Sequence, residues 1–119
     1  MIEIMPESSG NVVGIHVTGT LHEADYRQLL PKLEDLFRKE GKLRILFCAD
    51  ERFAGWDMKA AWDDASFGFG HLAEFDRMAL VGVPSWVEWC VKLSAFLFKG
   101  EVRIFPAKEL DAAWNWVRT

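Results

Sequence analysis

Hydrophobic positions along the chain alternate between short, nearly unbroken runs and longer stretches that repeat every three or four residues. Ile2 to Met5 is a brief apolar run closed by Pro6, and Glu7-Ser8-Ser9-Gly10-Asn11 has the composition of a turn. Val12 to Thr18 is apolar almost throughout, as a strand covered on both faces should be. An antiparallel pair is expected from these first two runs. Tyr26, Leu29, Leu30, Leu33, Leu36 and Phe37 then recur at helical spacing, which predicts a helix with a core-facing stripe. Thr20 with Glu23 three residues on fits a capping box at its start. Pro31 should kink the helix or remove one backbone bond, and Gly41 suits a left-handed cap at its end.

Lys42 to Ala49 reads as the third strand and leads into Asp50–Leu72, a segment rich in rings and glycines. Its first residues, Asp50 to Gly55, are expected to be a loop that leaves Phe53 and Trp56 exposed above the sheet. Trp56-Asp57 should then open a helix, with Asp57 at its cap. Met58, Trp62, Ala65, Phe69 and Leu72 would share one face of it, with Asp64, Gly68 and His71 on the next. Gly68 and Gly70 each lower helix stability by up to about 1 kcal/mol relative to alanine, so a mobile lid is expected there. Arg77 to Val83 is a fourth strand stopped by Pro84. Ser85 is placed to cap the helix that follows, Trp86 to Phe98, which is apolar on more than one face. Glu101 to Phe105 is a short final strand at an edge, and Pro106 precedes a helix with the stripe Leu110, Ala113, Trp114 and Val117. With right-handed crossovers this order predicts an α/β fold: one domain over residues 1–119, with a mixed, mostly parallel five-stranded sheet flanked by four helices.

Composition adds one unusual item. Six tryptophans and nine phenylalanines in 119 residues are more rings than a small core hides, so one or two indoles should reach the surface. A net charge of −4 without any basic cluster argues against a nucleic-acid binder. Cys48 and Cys90 match no zinc spacing and are read as two buried, reduced thiols. His16 and His22 lack a third ligand at a sensible spacing, so neither metal nor cofactor is expected. Met1-Ile2-Glu3-Ile4 has no charged leader. The apolar stretch Trp86–Phe98 is broken by Glu88, Lys92 and Ser94 and is too short to span a bilayer, which points to the cytoplasm.

In order and spacing, a scattered set of residues resembles the SpoIIAA-like family, related in fold to STAS domains (the sulphate-transporter and anti-sigma-factor antagonist group). The matching residues are Gly19-Thr20-Leu21, Asp25-Tyr26, Pro31 with Leu33-Glu34, Gly55-Trp56 and Ala61-Trp62 with Asp64. Phe75, Arg77-Met78-Ala79-Leu80-Val81-Gly82, Trp86, Val102-Arg103-Ile104-Phe105 and Ala113-Trp114 continue the series. The resemblance implies a βα superhelix and a mobile helix over an apolar cavity, with open and closed forms. It also implies dimers and a link to membranes or lipid-like ligands. Anti-sigma antagonists carry a phosphorylatable serine at the start of the helix after the third strand. Here Asp50 to Asp57 holds neither serine nor threonine, and the next serine is Ser66. The resemblance therefore does not carry over a phosphoswitch.

Catalytic chemistry finds no footing. Asp63 and Asp64 are adjacent and would point about 100° apart on a helix, and His71 lies about two turns beyond Asp64. No nucleophile elbow, phosphate loop or metal motif accompanies them. No catalytic residue is assigned, and the chain is read as a non-enzymatic binding module. Phe53, Trp56, Trp62, Phe67 and Trp86 are expected to line an apolar cleft under the lid, with Asp64 and His71 as its few polar contacts. The expected occupant is a lipid-like or other apolar small molecule, with peripheral membrane contact. The second reading is a regulatory protein-interaction domain without the switch serine, in which the same rings meet a protein partner or a second copy.

Overall fold

β-branched residues and leucine run through β2 (Val12–Val17), β4 (Leu43–Ala49) and β6 (Phe75–Val81), and these three strands form the middle of a sheet. The computed structural model describes residues 1–57, 75–94 and 100–119. In it the sheet has five strands in the order β1-β2-β4-β6-β7, where β1 is Ile2–Ile4 and β7 is Glu101–Phe105. β1 runs antiparallel to β2, with Ile2 opposite Val17, and the remaining neighbours are parallel. One row across the sheet reads Val13, Ile45, Met78, Val102.

Because side chains alternate along each strand, the sheet offers two apolar faces, and helices cover both. On one face Val13, Ile15, Val17, Leu43 and Ile45 pack with Tyr26, Leu29, Leu33 and Phe37 of α1 (Glu23–Glu40). Val87 of α2 (Ser85–Ser94) joins the same cluster. On the other face Val12, Leu46, Ala79 and Val81 meet Ala113, Trp114 and Val117 of α3 (Leu110–Arg118). Each fully buried side chain of this kind contributes about 1.5–3 kcal/mol. The carboxyl end of α3 is held by strand arginines: Arg44 Nη1 donates to the Val117 carbonyl at 3.1 Å, and Arg77 Nη1 to that of Trp116 at 2.7 Å. Positive charge at that end of a helix also suits its dipole.

Three local expectations are corrected. The first helix starts at Glu23, with His22 as its N-cap, and the Asp25 carboxylate accepts the His22 amide at 2.8 Å. Thr20 does not cap it. Thr20–Leu21 is instead extended (β3) and pairs in parallel with Gly55–Trp56 (β5), Thr20 opposite Gly55 and Leu21 opposite Trp56. Leu21 is fully buried, and this tertiary contact overrides the local capping pattern. For the same reason the loop after β4 does not leave its rings in the open: Phe53 is buried and Trp56 half-buried. At the start of α2 the Pro84 carbonyl, one residue before Ser85, accepts the Val87 and Glu88 amides.

Further expectations fare unevenly. α1 runs unbroken through Pro31, which merely lacks one donor. Gly41 caps it with its N–H on the Phe37 carbonyl at 2.9 Å and a positive φ of 82°, but its ψ of −99° lies outside the expected left-handed helical region. β7 lies at the sheet edge. Cys48 and Cys90 are free thiols, but Cys90 is exposed on α2 and Cys48 only half-buried, against the expectation of two interior cysteines. Three α-helices are present among the described residues; the fourth expected, opening at Asp57, falls on 58–74, outside them.

Gly14 in β2 is a packing requirement. The Trp114 ring of α3 lies directly on it, and a methyl group at that position would overlap the ring. Gly14→Ala is therefore expected to destabilise the protein by roughly 1–3 kcal/mol, read as a lower midpoint in urea unfolding.

Candidate functional site

At the carboxyl end of β4 the chain turns back over the α1 side of the sheet, and backbone bonds fix its path. The Phe53 amide returns to the Asp50 carbonyl at 3.1 Å. Gly19 donates to the Arg52 carbonyl at 3.1 Å and accepts from Ala54 at 2.8 Å. This stitching feeds directly into the β3–β5 pair and sets Phe53 and Trp56 beside Phe47 of β4. Ring centroids lie 6.2 Å apart for Phe47 and Phe53, 5.2 Å for Phe53 and Trp56, and 5.8 Å for Trp56 and Trp86 of α2. These three pairs meet edge-to-face, while Phe47 and Trp56 stack at 6.2 Å. Such pairs add about 0.5–1.5 kcal/mol each beyond the area they bury. The Trp56 indole N–H donates to Tyr26 Oη of α1 at 2.6 Å, so the half-buried ring has its polar edge satisfied.

Gly55 is fitted to this arrangement twice over. Its φ of 107° lies where side chains are strained, and a β-carbon there would stand 3.1 Å from the Trp86 ring. The cluster grades from covered to open. Phe53 is 8% exposed, whereas Trp86 is 52% exposed. Beyond Trp86 the open apolar surface continues along α2 through Trp89 and Leu93, at helical spacings of three and four.

Of the residues predicted from sequence, Phe53, Trp56 and Trp86 therefore come together, with Phe53 as part of the floor rather than an open contact. Trp62, Asp64, Phe67 and His71 lie outside the described residues. Two members escaped sequence reading. Phe47 looks like any ring in an apolar strand, and Tyr26 like any member of a helical stripe. Only the fold brings them to Trp56.

The polar groups nearby are paired with each other. His22 Nδ1 and Asp57 Oδ2 are 2.7 Å apart where β3 and β5 end, and the Asp57 amide donates to the Leu21 carbonyl at 2.9 Å. His16 Nε2 lies 3.4 Å from Asp50 Oδ2. Among the described residues no group of three His, Cys, Asp or Glu side chains can hold a metal. Desolvation alone would push the Asp50 carboxyl up. Hydrogen bonds from the Thr18 side chain and the Arg52 amide, with the charges of His16 and Arg52, hold it below its usual value. Burial first, and the Asp50 charge second, push the Cys48 thiol up, so it is a poor source of thiolate. A separate concavity of about 790 Å³ opens on the far side of α2, lined by Glu88 and Lys92 and by Val102 to Ala107; the ring cluster takes no part in it.

A mostly parallel sheet with helices on both faces, and a ring cluster where the chain leaves β4, define a STAS-type α/β module. The SpoIIAA-like family profile matches residues 12–118, and the chain belongs to that family. The fold is similar to the crystal structure of an uncharacterized protein of the DUF3478 family with a SpoIIAA-like fold from Shewanella loihica. That likeness has a TM-score of 0.80 and 28% sequence identity, covering 98% of this chain and 93% of the other. No curated protein matches the chain.

Two outcomes follow from these contacts. Trp56→Phe keeps an aromatic ring but loses indole volume and the bond to Tyr26, and should cost at least about 1 kcal/mol in urea unfolding. Because the Asp50 pKa is lowered in the folded state, its contribution to stability is complete above the ordinary carboxylate range and fades as pH falls through the folded value. Asp50→Asn should thus be less stable than the parent at neutral pH, and the gap should close below that value in a pH series of thermal melts.

Proposed function

We propose that this chain is a non-enzymatic binding module that takes a lipid-like or other apolar small molecule on the open side of its aromatic cluster. The observation that carries this reading is the gradient from buried Phe53, through half-buried Trp56, to Trp86, Trp89 and Leu93, which stand 52%, 67% and 59% exposed. Apart from Met1 these three are the large hydrophobic side chains exposed among the described residues, and all lie on α2. Contiguous exposed apolar surface of this kind marks contact sites. A site with an ordered floor and an open apolar rim suits an acyl chain better than a polar substrate. Among the described residues, His16 and His22 each face a carboxylate, and burial holds the Cys48 thiol protonated.

The same surface suits peripheral contact with a membrane. With a net charge of −4, such contact would rest on apolar area and so depend little on salt. No helix among the described residues is long and apolar enough to cross a membrane. The second reading, a regulatory protein-interaction domain, draws on the same exposed indoles, since tryptophan dominates protein interfaces. The absence of serine and threonine from Asp50 to Asp57 favours a form of it without a phosphoswitch at that place.

Titration with a long-chain fatty acid and with phosphatidylcholine vesicles, followed by tryptophan emission, tests the proposal. Saturable binding is expected, and Trp86→Ala should weaken it about tenfold, equivalent to roughly 1.4 kcal/mol. Silence with both probes, together with stoichiometric capture of one protein that Trp86→Ala abolishes, would establish the regulatory reading instead.

A further inference from the structure

We propose that the outer edge of β7 pairs antiparallel, in a single register, with β7 of a second copy of this chain. This interface lies apart from the ring cluster and does not depend on what that cluster binds. β7 closes the order β1-β2-β4-β6-β7, and no described residue pairs with its far side. The Phe105 carbonyl accepts the Gly82 amide at 3.0 Å, on the β6 side. Since backbone groups of one residue point the same way and alternate along a strand, Glu101 and Arg103 also face β6. Val102 and Ile104 turn their N–H and C=O groups outward, and the Gly100 carbonyl, opposite the inward Glu101 amide, does the same.

An antiparallel neighbour must match outward residues with outward residues, which leaves few registers. In one, Val102 faces Val102 of the second copy and Gly100 faces Ile104, so that Glu101 stands opposite Arg103 at two symmetric places. Those are the non-hydrogen-bonded positions, where facing side chains approach most closely. Sliding by two residues sets Arg103 against Arg103 and Glu101 against Phe105. A further slide sets Pro106, which has no amide hydrogen, against Val102. Charge and hydrogen bonding agree on the first register alone.

The edge is also prepared for it. The Arg103 guanidinium lies 5.5 Å from the Trp116 ring centroid, on the α3 face. Glu101 neighbours Arg77 in the parallel ladder, and Arg77 lies 5.2 Å from the same ring. Pairing therefore extends a row of alternating charge: Arg77, Glu101, then Arg103 of the second copy. On the opposite face, the concavity of about 790 Å³ along Val102 to Ala107 leaves room beside the edge under Glu88 and Lys92.

Sedimentation equilibrium on the full chain, over a concentration series, tests the proposal. A reversible dimer is expected for the parent. Glu101→Arg and Arg103→Glu, taken singly, should each weaken it at least tenfold, and the double reversal should restore it to within about threefold of the parent. Arg103→Glu also removes the contact with Trp116, so circular dichroism accompanies each variant. Val102→Pro gives an independent arm, since the amide it deletes faces outward and serves no bond within the sheet; this variant should be monomeric. A parent that stays monomeric up to about 1 mM, a dimer indifferent to Val102→Pro, or a double reversal no better than either single one would overturn the proposal.

Discussion

Two residues of extended chain, Thr20–Leu21, lying beside Gly55–Trp56 decide much of what surrounds them. The pairing drives Leu21 fully into the core and delays the start of α1 to Glu23. It also pulls the segment after β4 back over the sheet, where Phe53 and Trp56 find Phe47 and Tyr26. Without it, Trp56 would lack the register that aims its indole N–H at the Tyr26 hydroxyl. Gly55 belongs to the same constraint. Its backbone turns through a region that a side chain resists, and the space a side chain would need is filled by Trp86. A short contact between distant segments thus sets both the helix boundary and the ring cluster.

What could be read in the chain beforehand tracks how locally each feature is determined. The central strands announce themselves because both faces are buried, so Val12–Val17 and Leu43–Ala49 are apolar at nearly every position. The stripes of α1 and α3 follow from helical spacing, and the edge position of Glu101–Phe105 fits its alternation of charged and apolar residues. β3 and β5 were invisible. Neither is long enough to show a period, and Thr20 with Glu23 imitates a cap that the buried Leu21 forbids. The candidate site was half legible for the same reason. Trp56 and Trp86 stand out as indoles in the chain, but Tyr26 and Phe47 join them only through the β3–β5 contact.

Chemically, the region is a place where polar groups have been neutralised against each other. His22 faces Asp57, His16 faces Asp50, and Asp50 is further held by Thr18 and the Arg52 amide. Groups committed to such partners fix loops and strand ends. What faces outward beside them is apolar: Trp86, Trp89 and Leu93 along α2. The division of labour is consistent with a module whose interactions rest on surface complementarity, with the carboxylates and imidazoles serving as its internal fastenings.

The strand order has a consequence for how the protein is made. Because β1, β2, β4, β6 and β7 stand in the sheet in the order in which they occur in the chain, each newly synthesised strand is laid on the edge left by the one before. Until β7 emerges, that edge is β6, whose Ala79, Leu80 and Val81 are buried once the fold is complete. An edge of that kind, left open, is one that recruits unwanted strands. Glu101 and Arg103 are the residues that end this exposure, replacing a greasy margin with a charged one. The final strand acts as a selvage, replacing a margin that any strand could join with one whose charges leave few registers open to a neighbour.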